Sequence, residues 1–164
     1  MSKLVTGIFH SRSAAEMAVD ELTKAGIAQE DISLLMSETT HGREFGVTKK
    51  TKASQGAAAG MTVGGVLGAV AAGLAAVGTI SVPGLALVAA GPLVAALAGL
   101  GAGAAAGGVT GGLIGLGIPE HEAKFFGKEI EKGGILVGVY AHDDRVKVAR
   151  DILDAAGAEK VGRA

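Results

Sequence analysis

The side chains able to do chemistry are few. Four histidines occur, His10, His41, His121 and His142, and there is no cysteine. No histidine pairs with another at metal-ligand spacing, and "HGRE" and "PEHEAKFF" lack the H-E-x-x-H pattern that puts two imidazoles on one helix face. Without cysteine, thiolate zinc sites, thiol catalysis and disulfide frameworks are excluded. The glycines invite a phosphate-cradling reading, but neither "GTISVPG" nor "GAGAAAGG" is followed by Gly-Lys-Ser/Thr. No G-x-G-x-x-G string stands in a strand-to-helix setting, and no Ser/His/Asp set has a distinguishing local motif. One Tyr, four Phe and no Trp leave no stacking platform for single strands. A net charge of -1 supplies no field for nucleic acid. The expectation is a non-enzyme with no catalytic residues, no cofactor, no metal and no nucleic-acid partner. His10 and His142 end equivalent strands of two similar segments, where they could meet across a sheet edge as a small active site. A helix-start or loop role is the simpler reading of both. Glu120, His121 and Glu122 open a helix after Pro119, where acids complement the helix dipole.

The elements that carry these residues lie in two charged flanks. All 31 Asp, Glu, Lys and Arg residues fall in 1–52 or 120–164, and none between Ala53 and Pro119. "LVTGIF" predicts a strand over 4–9, and "SRSAAEMAVDELTKAG" a helix with Ser13 and Glu16 as a capping box. Ala15, Ala18, Val19, Leu22 and Ala25 form its apolar face, Gly26 is its C′ glycine with apolar Ile27 following, and "ISLLM" is a second strand over 32–36. The C-terminal flank repeats the plan. "ILVGVYA" predicts a strand over 135–141, "DDRVKVARDILDAAG" a helix capped by Asp143 or Asp144, and "EKVG" a last strand. Shifted by 131 residues, the flanks align without gaps from Leu4 to Gly26, with Gly7 on Gly138, Ala18 on Ala149 and Leu22 on Leu153. Two βαβ halves predict an α+β fold, a ferredoxin-like split sandwich with both helices on one face of a four-stranded sheet. Residues 1–36 are its first half, 37–55 a polar, mobile linker, and 119–164 a helix plus the second half.

Between the halves, 56–118 predicts a long Gly/Ala-rich apolar helical hairpin. Its first arm runs from Gly56 to Gly78, with Gly56, Gly60, Gly64 and Gly68 at every fourth position. "TISVPG" breaks the helix. The second arm runs from Leu85 to Ile118 with a kink at Gly91-Pro92, and carries Gly99, Gly103, Gly107, Gly111 and Gly115. Each interior glycine costs a helix about 1 kcal/mol relative to alanine. That cost makes sense where a second backbone packs along the bare face, as in membrane helices, and the candidates are the matching stripe of the first arm in the same chain and a copy in a neighbouring chain. The first arm, at 1.5 Å per residue, is roughly 34 Å long, close to a bilayer core. Lys49, Lys50 and Lys52 before it fit a cytoplasmic head by the positive-inside rule, and no secretory signal opens the chain.

The most specific segment is "GLGIPEHEAKFFGKEIEKGGILVGVYA", 115–141, where Ala123, Phe126 and Ile130 form a helix face and Gly133-Gly134 ends it before a strand. With "VTGIFHSRSAAEMAVDELTKAGI" it resembles the bacterial general stress protein (heat-induced stress protein) domain family, including relatives whose Gly/Ala-rich centre is described as membrane-spanning. The resemblance implies a stress-linked role and supplies no catalytic residues. The resulting expectation is a non-enzymatic bacterial stress-associated protein, membrane-associated with a cytoplasmic ferredoxin-like head, self-associating through the glycine zipper as a homo-oligomer in contact with membrane lipid. The alternative is a cytoplasmic soluble homo-oligomeric scaffold or carrier, whose hairpins form an apolar core or tunnel for lipid-like or quinone-like molecules.

Overall fold

The computed structural model describes residues 2–37, 39–40, 78–82, 85–93 and 102–163. In chain order the elements are β1 (Ser2–Phe9), α1 (Arg12–Lys24), a 3-10 turn (Gln29–Asp31), β2 (Ile32–Ser37), β3 (Gly78–Val82), β4 (Leu85–Ala90), α2 (Ala102–Gly115), α3 (Glu120–Glu131), β5 (Ile135–His142), α4 (Val146–Ala155) and β6 (Val161–Arg163). The fold is α+β. Six strands form one sheet in the order β3-β4-β2-β5-β1-β6, antiparallel throughout.

The flanks meet in the middle of this sheet. Phe9 stands opposite Ile135 and Ser2 opposite His142, so β1 and β5 pair over their whole lengths. α1 and α4 share one face, where Val5, Phe9, Ala18, Leu22, Val137, Ala149 and Leu153 form a continuous core. Arg145, at the start of α4, donates to the Ala25 carbonyl at the end of α1 at 2.8 Å, tying the two halves together. The other face is covered too. α2 and α3 pack there around Leu4, Ile8, Leu35, Leu136, Leu113 and Phe126. Strands buried on both faces must be apolar at both parities. "ILVGVYA" is such a strand, and Leu136 and Val137 turn to opposite cores.

The elements of the flanks follow their local patterns. Ala15, Ala18, Val19 and Leu22 are buried on α1, and Ala123, Phe126 and Ile130 on α3. Gly26 and Gly157 close α1 and α4 with φ of +83° and +90°. Three details differ. The α1 cap is Ser11, whose Oγ accepts from the Ala14 N–H at 3.3 Å; Ser13 lies inside the helix and Glu16 pairs with Arg12. Neither Asp143 nor Asp144 caps α4; Arg145 stands at the N-cap position and makes no side-chain cap. The gap-free repeat holds for the helices and fails for the strands. Ala18 and Ala149 both enter the α1/α4 core, but Gly7 lies against Leu153 while Gly138 lies against Leu93 on the opposite face. A one-residue offset reverses every side chain of a strand and leaves its hydrogen-bonding capacity intact.

The insertion departs most from expectation. Gly78 opens a strand instead of closing a helical arm, and 85–90 is a strand instead of the start of the second arm. β4 pairs with the outer edge of β2, Leu34 opposite Ala90 and Ser37 opposite Leu87, and β3 then pairs with β4. "LALVAA" is an apolar run too short for a helical period to be told from a strand, and the free edge of β2 supplies the backbone partners that decide it. Gly91-Pro92 is accordingly a strand-to-helix turn, with Pro92 and Leu93 helical, and not a kink inside a helix. Leu93 is fully buried over Gly138, and its N–H donates to Ser33 Oγ at 3.2 Å. The polar linker begins within the fold: Thr40 is buried, and its N–H donates to Ser37 Oγ at 3.1 Å. Residues 56–77 of the first arm, with Gly56, Gly60, Gly64 and Gly68, lie outside the described residues, as does Gly99.

Candidate functional site

α2 holds the described part of the second glycine stripe. Its buried side, Val109 and Leu113, fills the core beneath the sheet. Gly107 is exposed, and a Cβ placed there would find nothing within 4 Å among the described residues. Gly111 is half-buried, and Gly115 and Ile114 are exposed, Ile114 at 41%. The stripe does not run as one helical line. Gly108 has φ 61° and ψ −150°, so Gly103 and Gly107 precede a break in the helix and Gly111 and Gly115 follow it. The close approach between helices falls elsewhere, where Gly127 of α3 faces Thr110 of α2. Among the described residues, no helix is long and apolar enough to cross a membrane.

The histidines separate. Because β1 and β5 run antiparallel over their whole lengths, His10 follows the end of β1 beside Ile135 while His142 lies opposite Ser2. Equivalent strand ends of an antiparallel pair are at opposite ends of the sheet, so His10 and His142 do not meet. His121 is exposed in the first turn of α3, 3.8 Å from Glu122 Oε1. Glu120 and Glu122 occupy that turn as expected of acids at a helix start, and the Lys124 ammonium beside Glu120 holds its carboxyl below 4.5. His41 lies outside the described residues.

What the fold brings to His10 is a pair of glutamates from the other flank. His10 Nε2 contacts Glu159 Oε2 and stands 3.6 Å from Glu129 Oε2. The donor atoms of the three lie within 4.8 Å of one another. Each comes from a backbone segment tied to the sheet. The Glu159 N–H donates to the Ile8 carbonyl at 2.9 Å, and the Gly134 N–H donates to the Glu129 carbonyl at 2.7 Å just before β5 pairs with Phe9. Glu129 is 8% exposed, and its Oε1 accepts from Lys132 Nζ at 2.8 Å. The Lys132 ammonium holds the Glu129 carboxyl below its ordinary 4.5 against the effect of burial, and His10 adds to this. Spacing along the chain gives no hint of this group, because its members lie on three separate elements.

The remaining sites offer less chemistry. An open cleft of about 510 Å³ at the far end of the sheet is lined by Lys3, Asp143, Val146, Lys147, Arg150 and Asp151. Lys3 pairs with Asp143 at 2.7 Å and Lys147 with Asp151 at 3.0 Å, so these charges answer each other. Thr6 Oγ1 and Glu122 Oε2 are buried beside Gly162 without a hydrogen-bond partner among the described residues. No family model, curated protein or solved structure matches the chain, so its function is argued from these residues.

Proposed function

We propose that this chain is a non-enzymatic, stress-associated protein that self-associates through its glycine-rich insertion at or in a membrane, with a ferredoxin-like head built from the two flanks. The observation that carries the self-association is the bare outer side of α2. Among the described residues nothing lies against Gly107, while Val109 and Leu113 already fill the head's core. No contact within the described chain accounts for a helix-weakening residue there, and a second backbone does. The charge-free run from Ala53 to Pro119 supports the membrane setting, since it exceeds the roughly 20 residues one span needs. The ferredoxin-like reading of the head rests on the order β2-β5-β1-β6 with α1 and α4 on one face. The stress-linked role rests on the resemblance of 115–141 and the N-terminal segment alone.

One observation favours a second reading, a soluble homo-oligomeric scaffold or carrier for lipid-like or quinone-like molecules. The described parts of the insertion fold onto the head: β4 extends its sheet, and Leu93, Val109 and Leu113 enter its core. Light scattering of the purified protein without detergent, beside flotation with liposomes after a high-salt wash, separates the two. Flotation supports the membrane form, and a detergent-free oligomer that does not float supports the scaffold. A 16.1 kDa monomer that does not float overturns both. Gly107→Leu is expected to reduce the assembly in either case.

A further inference from the structure

Both helices that follow the insertion in the second flank, α3 and α4, end at the edge of the sheet where β1 ends. α3 passes into β5 through Gly133-Gly134, opposite Phe9, and the segment after α4 returns to Ile8 through the Glu159 N–H. The C-terminal, negative ends of two helices thus lie at the end of the sheet that carries His10, and the N-terminus of α1, capped by Ser11, brings a positive end. Glu129 sits in the last turn of α3 with its residue 8% exposed, a poor place for a carboxylate on both counts. Lys132 Nζ donates to its Oε1. Its Oε2 faces His10 Nε2 and, across it, Glu159 Oε2. Arg12, the next cation along the chain, pairs with Glu16 at 2.7 Å.

We propose that His10, Glu129 and Glu159 bind one divalent cation of the zinc type through His10 Nε2, Glu129 Oε2 and Glu159 Oε2. Nitrogen and oxygen ligands of zinc lie at about 2.0–2.2 Å, so two ligands at a tetrahedral angle stand roughly 3.4 Å apart. His10 Nε2 and Glu129 Oε2 are 3.6 Å apart already. The His10 and Glu159 side chains are 50% and 48% exposed and free to turn to admit an ion, while Glu129 is held by Lys132 through Oε1 and binds through Oε2. One imidazole with two carboxylates suits a first-row transition ion better than magnesium or calcium, which take all-oxygen sets. Such an ion clips residue 10 of one flank to residues 129 and 159 of the other, across the whole insertion. It therefore stabilises the closed, two-flank head.

The test uses the full-length protein stripped with a chelator, titrated with zinc chloride at pH 7.5 and followed by calorimetry and thermal unfolding. Cobalt(II) serves as the spectroscopic probe. The expected result is one ion per chain, a raised melting temperature, and visible-region cobalt bands. His10→Ala and Glu159→Gln, both at exposed side chains, each weaken binding by more than about tenfold, a loss that even a residue supporting a ligand can cause. The double variant His121→Ala/His142→Ala binds as the parent does. The proposal is overturned by the absence of saturable binding, or by His10→Ala and Glu159→Gln binding as tightly as the parent. It is also overturned if His10→Ala changes stability in the chelated protein while zinc shifts neither form, since His10 then only bridges two carboxylates.

Discussion

Gly127 of α3 faces Thr110 of α2 so closely that a Cβ at 127 would stand 2.7 Å from the Thr110 hydroxyl oxygen. This contact fixes the approach of the two helices that cover the second face of the sheet. Gly127→Ala gains about 1 kcal/mol of helix propensity and loses a similar amount to the clash, so its urea midpoint stays near that of the parent. Gly127→Val should be destabilised by about 1–3 kcal/mol, the range for overpacking a close-fitted site. Gly127→Ala placed in a Thr110→Ala background should be more stable than Thr110→Ala alone. A Gly127→Val protein as stable as the parent would show that α2 and α3 slide apart freely.

Gly107 and Gly108 are neighbours that should respond in opposite ways. Among the described residues neither has an atom within 4 Å of a would-be Cβ, so within the described part of one chain packing opposes a methyl at neither. Gly107 lies in helical backbone, and Gly107→Ala should raise stability by up to about 1 kcal/mol. Gly108, at φ 61° and ψ −150°, occupies a region that side-chain-bearing residues avoid. Gly108→Ala should cost about 1–3 kcal/mol. Equilibrium urea unfolding of the two variants checks the sign of each.

Ser33→Ala tests how the insertion is anchored to the head. Ser33 is fully buried on β2, and its Oγ accepts from the Leu93 N–H. Removing the acceptor strands a buried donor, at a cost of about 1–3 kcal/mol. Faster amide exchange at Leu93, before any change in the β1/β5 pair, is the expected signature.

The pH dependence follows from Glu129. Its carboxyl is held below the ordinary 4.5, chiefly by the Lys132 hydrogen bond. A group depressed in the folded state contributes stability that is full above its unfolded value and is lost as pH falls through the folded one. Stability should therefore decline with acid below 4.5, and Glu129→Gln should flatten that limb. Asp143, held below 3.8 by Lys3, adds a separate loss lower in the same limb. Lys24, raised to about 12 by Asp20 and Glu21, acts at the other end, its contribution full below 10.5 and lost through about 12. Chemical denaturation at stepped pH reads all three.

The local patterns of the flanks were legible because they concern neighbours in sequence. The period of Ala15, Ala18, Val19 and Leu22, or of Ala123, Phe126 and Ile130, names a buried helix face wherever that helix packs. The two-flank plan was legible from the absence of charge between Ala53 and Pro119, since a charge-free run interrupts two amphipathic segments that cannot each bury a core. The strands of the flanks were recognisable as strands, and "ILVGVYA" is apolar at both parities, as a strand buried on both faces must be, although what covers the second face was not legible.

Tertiary structure alone decided the rest, because each remaining choice is made by a partner distant along the chain. "LALVAA" is a strand because the edge of β2 lacks backbone partners, and Gly138 turns toward Leu93 while Gly7 turns toward Leu153 because pairing register, not the aligned sequence, sets which face a strand residue joins. His10 meets Glu159, 149 residues away, and Glu129 because β1 and β5 pair antiparallel over their full lengths. The same pairing carries His142 to the opposite end of the sheet. The sequence by itself placed His10 and His142 at equivalent strand ends; the direction in which two central strands run set them at opposite ends of the sheet and brought Glu129 and Glu159 to His10.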